Sequence, residues 1–273
     1  MRRTLVRSAI AALVAVVATV PGGARPAQAN TGSLLSPITQ IYSILAAGGQ
    51  PAQVVPQVVS AVSAIRADVL TEVSRVSNTG VRTCATRHVT EFANLERLAL
   101  AAAQAWARDA TTCVTSINAL LQAAQTGPPN PTPVAPGDPK YTVDLLGLVV
   151  NVVGPIALTA RLHAGLGNAS LRQVLVGANN TVVTKLEPWC SEGRVYEDDS
   201  NVFELWFVCY AYNYWPGGGR AEDFQLFLLP PGCEPWHSCE ETPLGPPVDK
   251  DRVKFNTMKH SSWVVARAAL PLL

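Results

Sequence analysis

Between Val55 and Val76 the apolar residues Val55, Val58, Val62, Ile65, Val69, Val73 and Val76 recur at three- and four-residue steps, while Arg66, Asp68, Glu72 and Arg75 take other positions. Such steps keep one stripe of a helix apolar, so the spacing predicts an amphipathic α-helix. Ser77-Asn78-Thr79-Gly80 supplies stop and turn residues, after which Phe92, Leu95, Leu98, Ala102, Trp106, Cys113, Ile117 and Leu120 continue a stripe of the same kind. A shorter helix is expected over 37–47. Apolar stripes must cover one another, so residues 30–126 are expected to form an α-helical hairpin or small bundle.

After residue 140 the signals change towards strands. Val174-Leu175-Val176 and Thr181-Val182-Val183-Thr184-Lys185-Leu186, separated by Gly177-Ala178-Asn179-Asn180, suggest a β-hairpin. Phe203 to Trp215 is dense in aromatic and β-branched residues, Pro216-Gly217-Gly218-Gly219 breaks it, and Phe224 to Leu229 resumes, giving a second hairpin. Val253 to Phe255 and Trp263 to Ala266 are read as further strands. Tyr141 to Arg161 suits a buried helix or strands punctuated by Gly147 and Gly154, and is assigned to strands. The expected fold class is α+β, a helical N-terminal part followed by a β-rich, disulfide-stabilised C-terminal domain.

Between the two lies a Pro-rich run from Gly127 to Gly137, which neither continues a helix nor donates into a sheet. It sets the boundaries: a signal peptide over 1–29, an α-helical domain over 30–126, a linker over 127–139 and a β-rich domain over 140–273. The signal is read from Arg2, Arg3 and Arg7, the apolar core Ala9 to Val20 and the small-x-small triplet Ala27-Gln28-Ala29, which places cleavage after Ala29. The expected location is therefore secreted or extracytoplasmic. No second stretch is expected to span a bilayer, because Val143 to Ala160 contains Asp144, Asn151, Gly147, Gly154 and Pro155. A peripheral membrane contact stays open.

Charge narrows the partners. The whole chain carries 21 Lys and Arg against 20 Asp and Glu, and removing Arg2, Arg3, Arg7 and Arg25 leaves 17 against 20, a net charge of −3. Nucleic acid, which needs a clustered basic face, is not an expected partner. The six cysteines Cys84, Cys113, Cys190, Cys209, Cys233 and Cys239 all follow the signal, and an even number in an exported chain predicts disulfides, paired sequentially by default. A helix unbroken from 83 to 124 would hold Cys84 and Cys113 about 44 Å apart. A bond between them therefore requires a break, although no Gly or Pro between Glu91 and Arg108 marks one.

Motifs for chemistry are sparse. His88, His163, His237 and His260 show no metal-ligand spacing, and Cys233 to Cys239, with His237 inside it, reads as a stapled loop rather than a zinc site. No metal and no cofactor is expected. Ser170 lacks the elbow of a serine nucleophile. Glu197-Asp198-Asp199, with Glu187 and Glu192 upstream, would supply carboxylates to a hydrolase, but reads first as a solvated turn.

The strongest signal is aromatic. Of 18 Phe, Tyr and Trp residues, 14 follow Leu186. On a strand, Trp206, Tyr210, Tyr212 and Tyr214 share one face, while Phe203, Leu205, Phe207 and Cys209 share the other and make a credible core. The first set is the candidate ligand-binding face for an envelope or extracellular carbohydrate or protein. The expected function is non-enzymatic binding outside the cytoplasm. Its alternatives are an extracellular hydrolase with a dispersed acidic site around Glu197 or Asp199, and a membrane-active, toxin-like protein.

Overall fold

A computed structural model describes residues 32–127, 138–196, 201–212, 219–230 and 240–273. The expected signal peptide, most of the Pro-rich stretch, residues Glu197 to Asp199, Tyr214 and residues Cys233 to Cys239 lie outside them. Within these residues the protein is mixed helix and sheet, with eight α-helices and a four-stranded antiparallel sheet in the C-terminal part.

The first helices are α1 (Gly32–Ala47) and α2 (Pro51–Ser74). The α2 stripe falls as its spacing requires, with Val55, Val58, Val62, Ile65, Val69 and Val73 all buried. At α3 (Thr79–Glu91) the Asn78 side chain accepts a 3.0 Å hydrogen bond from the Val81 amide, closing the first turn. A 3₁₀ turn from Phe92 to Arg97 and extended backbone at Leu98 and Ala99 then precede α4 (Leu100–Ala123).

That interruption is the break demanded by the cysteines, and Cys84 is bonded to Cys113 across α3 and α4 with Cα atoms 5.9 Å apart. Burial, rather than a breaker residue, accounts for it: Phe92 and Leu95 turn fully into the core, with Phe92 stacked on Trp106 at 6.2 Å. On α4 the stripe holds at Trp106, Cys113 and Ile117 but shifts by one residue at its ends, where Ala103 and Leu121 are buried in place of Ala102 and Leu120.

Four strand assignments are corrected. Tyr141 to Arg161 lies in the helix α5 (Pro139–His163), and the supposed hairpin at 174–186 lies in α6 (Ala169–Lys185) and the residue that caps it. Val253 to Phe255 and Trp263 to Ala266 belong to α7 (Lys250–Met258) and α8 (Ser262–Ala269). In α5 every residue from Val143 to Ala160 is buried, so neither face shows the polar alternation that identifies a helix from sequence.

Gly147 and Gly154 do not end strands. They sit two turns apart on α5 where neighbours press closest, since a Cβ at Gly147 would lie 2.4 Å from Ser262 Oγ and one at Gly154 would lie 2.5 Å from Leu175 Cδ2. Asn151, between them, donates to Gly147 O and to Asn179 Oδ1 of α6, both at 2.8 Å.

The expectation that no stretch after the signal reaches membrane-spanning length is also corrected. Both α2 and α5 are long and apolar enough to cross a bilayer, but the apolar run of α5 is packed entirely within protein. One continuous core draws residues from α1 to α4 together with α5, α6 and α8.

The strands are β1 (Trp189–Tyr196), β2 (Val202–Tyr210), β3 (Arg220–Leu228) and β4 (Thr242–Leu244), antiparallel and adjacent in chain order. The second expected hairpin corresponds to β2 and β3. Cys190 stands opposite Cys209 on β1 and β2 and is bonded to it, with Cα atoms 4.1 Å apart. Both described disulfides follow sequential pairing.

Candidate functional site: an open face of the sheet

Cross-strand register sorts the side chains of the sheet into two faces. One carries Cys190, Phe203, Phe207, Cys209 and Phe227, the set expected to form a core. It is covered by the protein itself. Helix α7 lays Val253 against Phe207 and Cys209, and three ion pairs tie the helix to the sheet region: Lys250 with Glu192, Arg252 with Asp223 at 2.7 Å, and Lys254 with Glu187 at 2.6 Å.

At the far end of this face Phe203 stacks on Phe227 at 5.0 Å, and the Arg194 guanidinium lies 5.0 Å over Phe203 while bonding Glu241 at 2.6 Å. Glu187 and Glu192, candidate hydrolase carboxylates from sequence, are thus engaged by α7.

The opposite face is open along most of its length, although Val208 on it is buried. It carries Trp189, Gly193 and Val195 from β1, Val202, Glu204, Trp206, Val208 and Tyr210 from β2, Arg220, Glu222, Phe224, Leu226 and Leu228 from β3, and Leu244 from β4. Of the seven large apolar side chains exposed among the described residues, five stand here: Val195, Phe224, Leu226, Leu228 and Leu244, at 37–56% exposure. Isolated exposed apolar residues are ordinary, whereas these five stand together on one face of the sheet.

Trp206 and Tyr210 belong to this face, both half-buried. Trp206 stands opposite Gly193, and a Cβ on that glycine would lie 2.4 Å from the indole, so the ring leans across the bare backbone of β1. Tyr210 packs on Trp189 at 5.4 Å and lies 5.8 Å beneath the Arg220 guanidinium, itself paired with Glu222. The aromatic strip is therefore partly self-packed. Phe224, Leu226 and Val195 are more exposed and are not marked by the aromatic pattern of β2; β3 is exposed at 220, 222, 224, 226 and 228.

Tyr212 is corrected. The strand ends at Tyr210, alternation ends with it, and Tyr212 turns into the helical core at 5% exposure. Its hydroxyl donates a 2.5 Å hydrogen bond to Asp144 Oδ2 on α5, while the Ser262 amide at the start of α8 donates to Asp144 Oδ1 at 2.6 Å. Burial pushes the Asp144 carboxyl above its ordinary range, opposed by these two donors, and holds the Tyr212 hydroxyl protonated with the Asp144 charge adding to the effect. The arrangement ties the end of β2 to α5 and α8. It is sealed from solvent and offers no reacting group to a substrate.

Of the histidines, His88 is buried on α3, edge-on to Trp106 at 4.7 Å and 3.5 Å from Asp109, and burial holds its pKa below the ordinary value. His163 ends α5, His260 lies between α7 and α8, and His237 is outside the described residues. Ser170 lies in the first turn of α6. Among the described residues no group of three or more His, Cys, Asp or Glu is placed to hold a metal ion.

No protein-family model matches the chain, and neither curated proteins nor solved structures give a match.

Proposed function

We propose that this is an exported, non-enzymatic binding protein that docks an extracellular or envelope protein on the open face of its sheet. The observation that carries the reading is the concentration of exposed apolar side chains on that face, opposite a face the protein covers with its own helix and ion pairs. Two disulfides in a chain of this size support maturation where thiols oxidise.

The composition of the face favours a protein over a carbohydrate. Sugar rings stack on aromatic planes edged by hydrogen-bonding groups, whereas Val195, Leu226, Leu228 and Leu244 are aliphatic and offer a sugar nothing to bond. The helices and disulfides supply the rigid mount that a docking face requires.

The test is photo-crosslinking in the producing organism. A benzophenone amino acid at position 226 is expected to yield a discrete adduct with an extracytoplasmic protein, and the same group at position 255, exposed on α7, is expected to yield none. Absence of an adduct at 226, or identical adducts from both positions, rejects the reading.

A further inference from the structure

On the open face one carboxylate stands among apolar groups. Glu204 occupies the middle of β2, directly between Val195 of β1 and Leu226 of β3, with Trp206 two residues along on the same face and Phe224 opposite Trp206. No described residue pairs with it by hydrogen bond or salt bridge. The one basic residue that the register places on this face, Arg220, is at the other end of β2, engaged with Glu222 and Tyr210.

Resting on the docking role proposed above, we infer that the occupant is an arginine-bearing segment of another protein, its guanidinium seated on Glu204 beside the Trp206 and Phe224 rings and its flanking apolar residues on Leu226, Leu228 and Leu244. Burying an unpaired carboxylate under an apolar partner is costly, so the partner must bring the missing cation. Arginine suits the place best: its guanidinium bonds a carboxylate through two parallel donors, stacks on aromatic rings, and carries an apolar stem.

The same charge argues against two other occupants. A second copy laid on this face would bring Glu204 and Glu222 of both chains together, with no free cation among the described residues of the face to offset them. An anionic bilayer would be repelled by the unpaired carboxylate.

The experiment uses the full disulfide-bonded protein and two synthetic peptides, acetyl-Leu-Ala-Arg-Ala-Leu-amide and its Gln analogue, with binding read from the Trp206 indole NH resonance. The Arg peptide is expected to bind about tenfold more tightly than the Gln peptide, the advantage falling as salt rises. Glu204→Gln is expected to remove that preference. Equal affinities for the wild-type protein, or no binding of either peptide, overturn the inference.

Concentration-dependent dimerisation abolished by Leu226→Asp would also overturn it, in favour of a second copy. A position-226 adduct that survives Glu204→Gln at full yield defeats the arginine assignment alone. Absence of any adduct defeats the docking reading beneath it.

Discussion

The indole of Trp206 leans across Gly193 on the neighbouring strand, close enough that a single methyl group at position 193 would meet the ring at 2.4 Å. The glycine thus sets how low the aromatic side chain lies. Gly193→Ala should lift the indole from β1 at a cost of about 1–3 kcal/mol, the usual range for adding a methylene to a packed site. With five further tryptophans in the chain, the change is best read from the Trp206 indole NH resonance. An unshifted resonance and unchanged stability would show that the ring does not rest on Gly193.

One glycine of α5 and one of α6 provide a paired test of close packing. Gly154→Ala drives a methyl into Leu175 and should destabilise the protein by about 1–3 kcal/mol. Gly177 lies on α6 with open space around it, and Gly177→Ala should stabilise by about 0.5–1 kcal/mol through helix propensity. Chemical denaturation of both variants checks the pair, and effects of the same sign would contradict the helical assignment of this region.

The buried Asp144 carboxyl makes stability depend on pH with a defined sign. Its folded pKa is raised above the unfolded value of 3.8, so its contribution is fully present below that value and is lost as pH rises through the folded pKa. Asp144→Asn removes the titration. The stability of the wild-type protein relative to Asp144→Asn should therefore be greater at pH 4 than at pH 7.5, measured by denaturant titration at each pH; a difference that is constant or reversed would contradict it. Tyr212→Phe takes one donor from the same carboxyl and should cost about 0.5–3 kcal/mol, more at the higher pH because the donor favours the ionised carboxylate.

The Cys84–Cys113 bond closes a 29-residue separation across the break between α3 and α4. Replacing both cysteines with Ser should lower stability by about 3–4 kcal/mol, chiefly by freeing the unfolded chain. Thermal unfolding of that variant checks the figure, and an unchanged midpoint would show that packing of Phe92 and Leu95 alone holds the reversal.

The parts legible in the sequence were those where one side of an element meets water. The α2 stripe from Val55 to Val73 survives because the rest of that helix meets water, and on β2 the two-residue period still sorts side chains onto two faces although Val208 is buried beside Phe207 and Cys209. Helix α5 was misread for the opposite reason: it is wrapped on every side, and Gly147 and Gly154, ordinarily breakers, serve as contact points. The Val-rich run of α6 has high strand propensity that tertiary burial of Leu175 and Val182 overrides.

Parity places Trp206 and Tyr210 on one face of β2, and it fails for Tyr212 because parity ends where the strand does. Nothing in the linear sequence indicated that Glu204 would stand between Val195 and Leu226, since that depends on the register of three strands.

Whether the face bearing Phe224 and Leu226 is a docking surface or hidden core is decided by substituting both with Asp and measuring unfolding in denaturant alongside crosslinking from position 228. The expected result is a loss within about 1 kcal/mol, typical of two surface changes, together with disappearance of the adduct. A loss above about 3 kcal/mol, or an undiminished adduct, would contradict the assignment of this face as the binding surface.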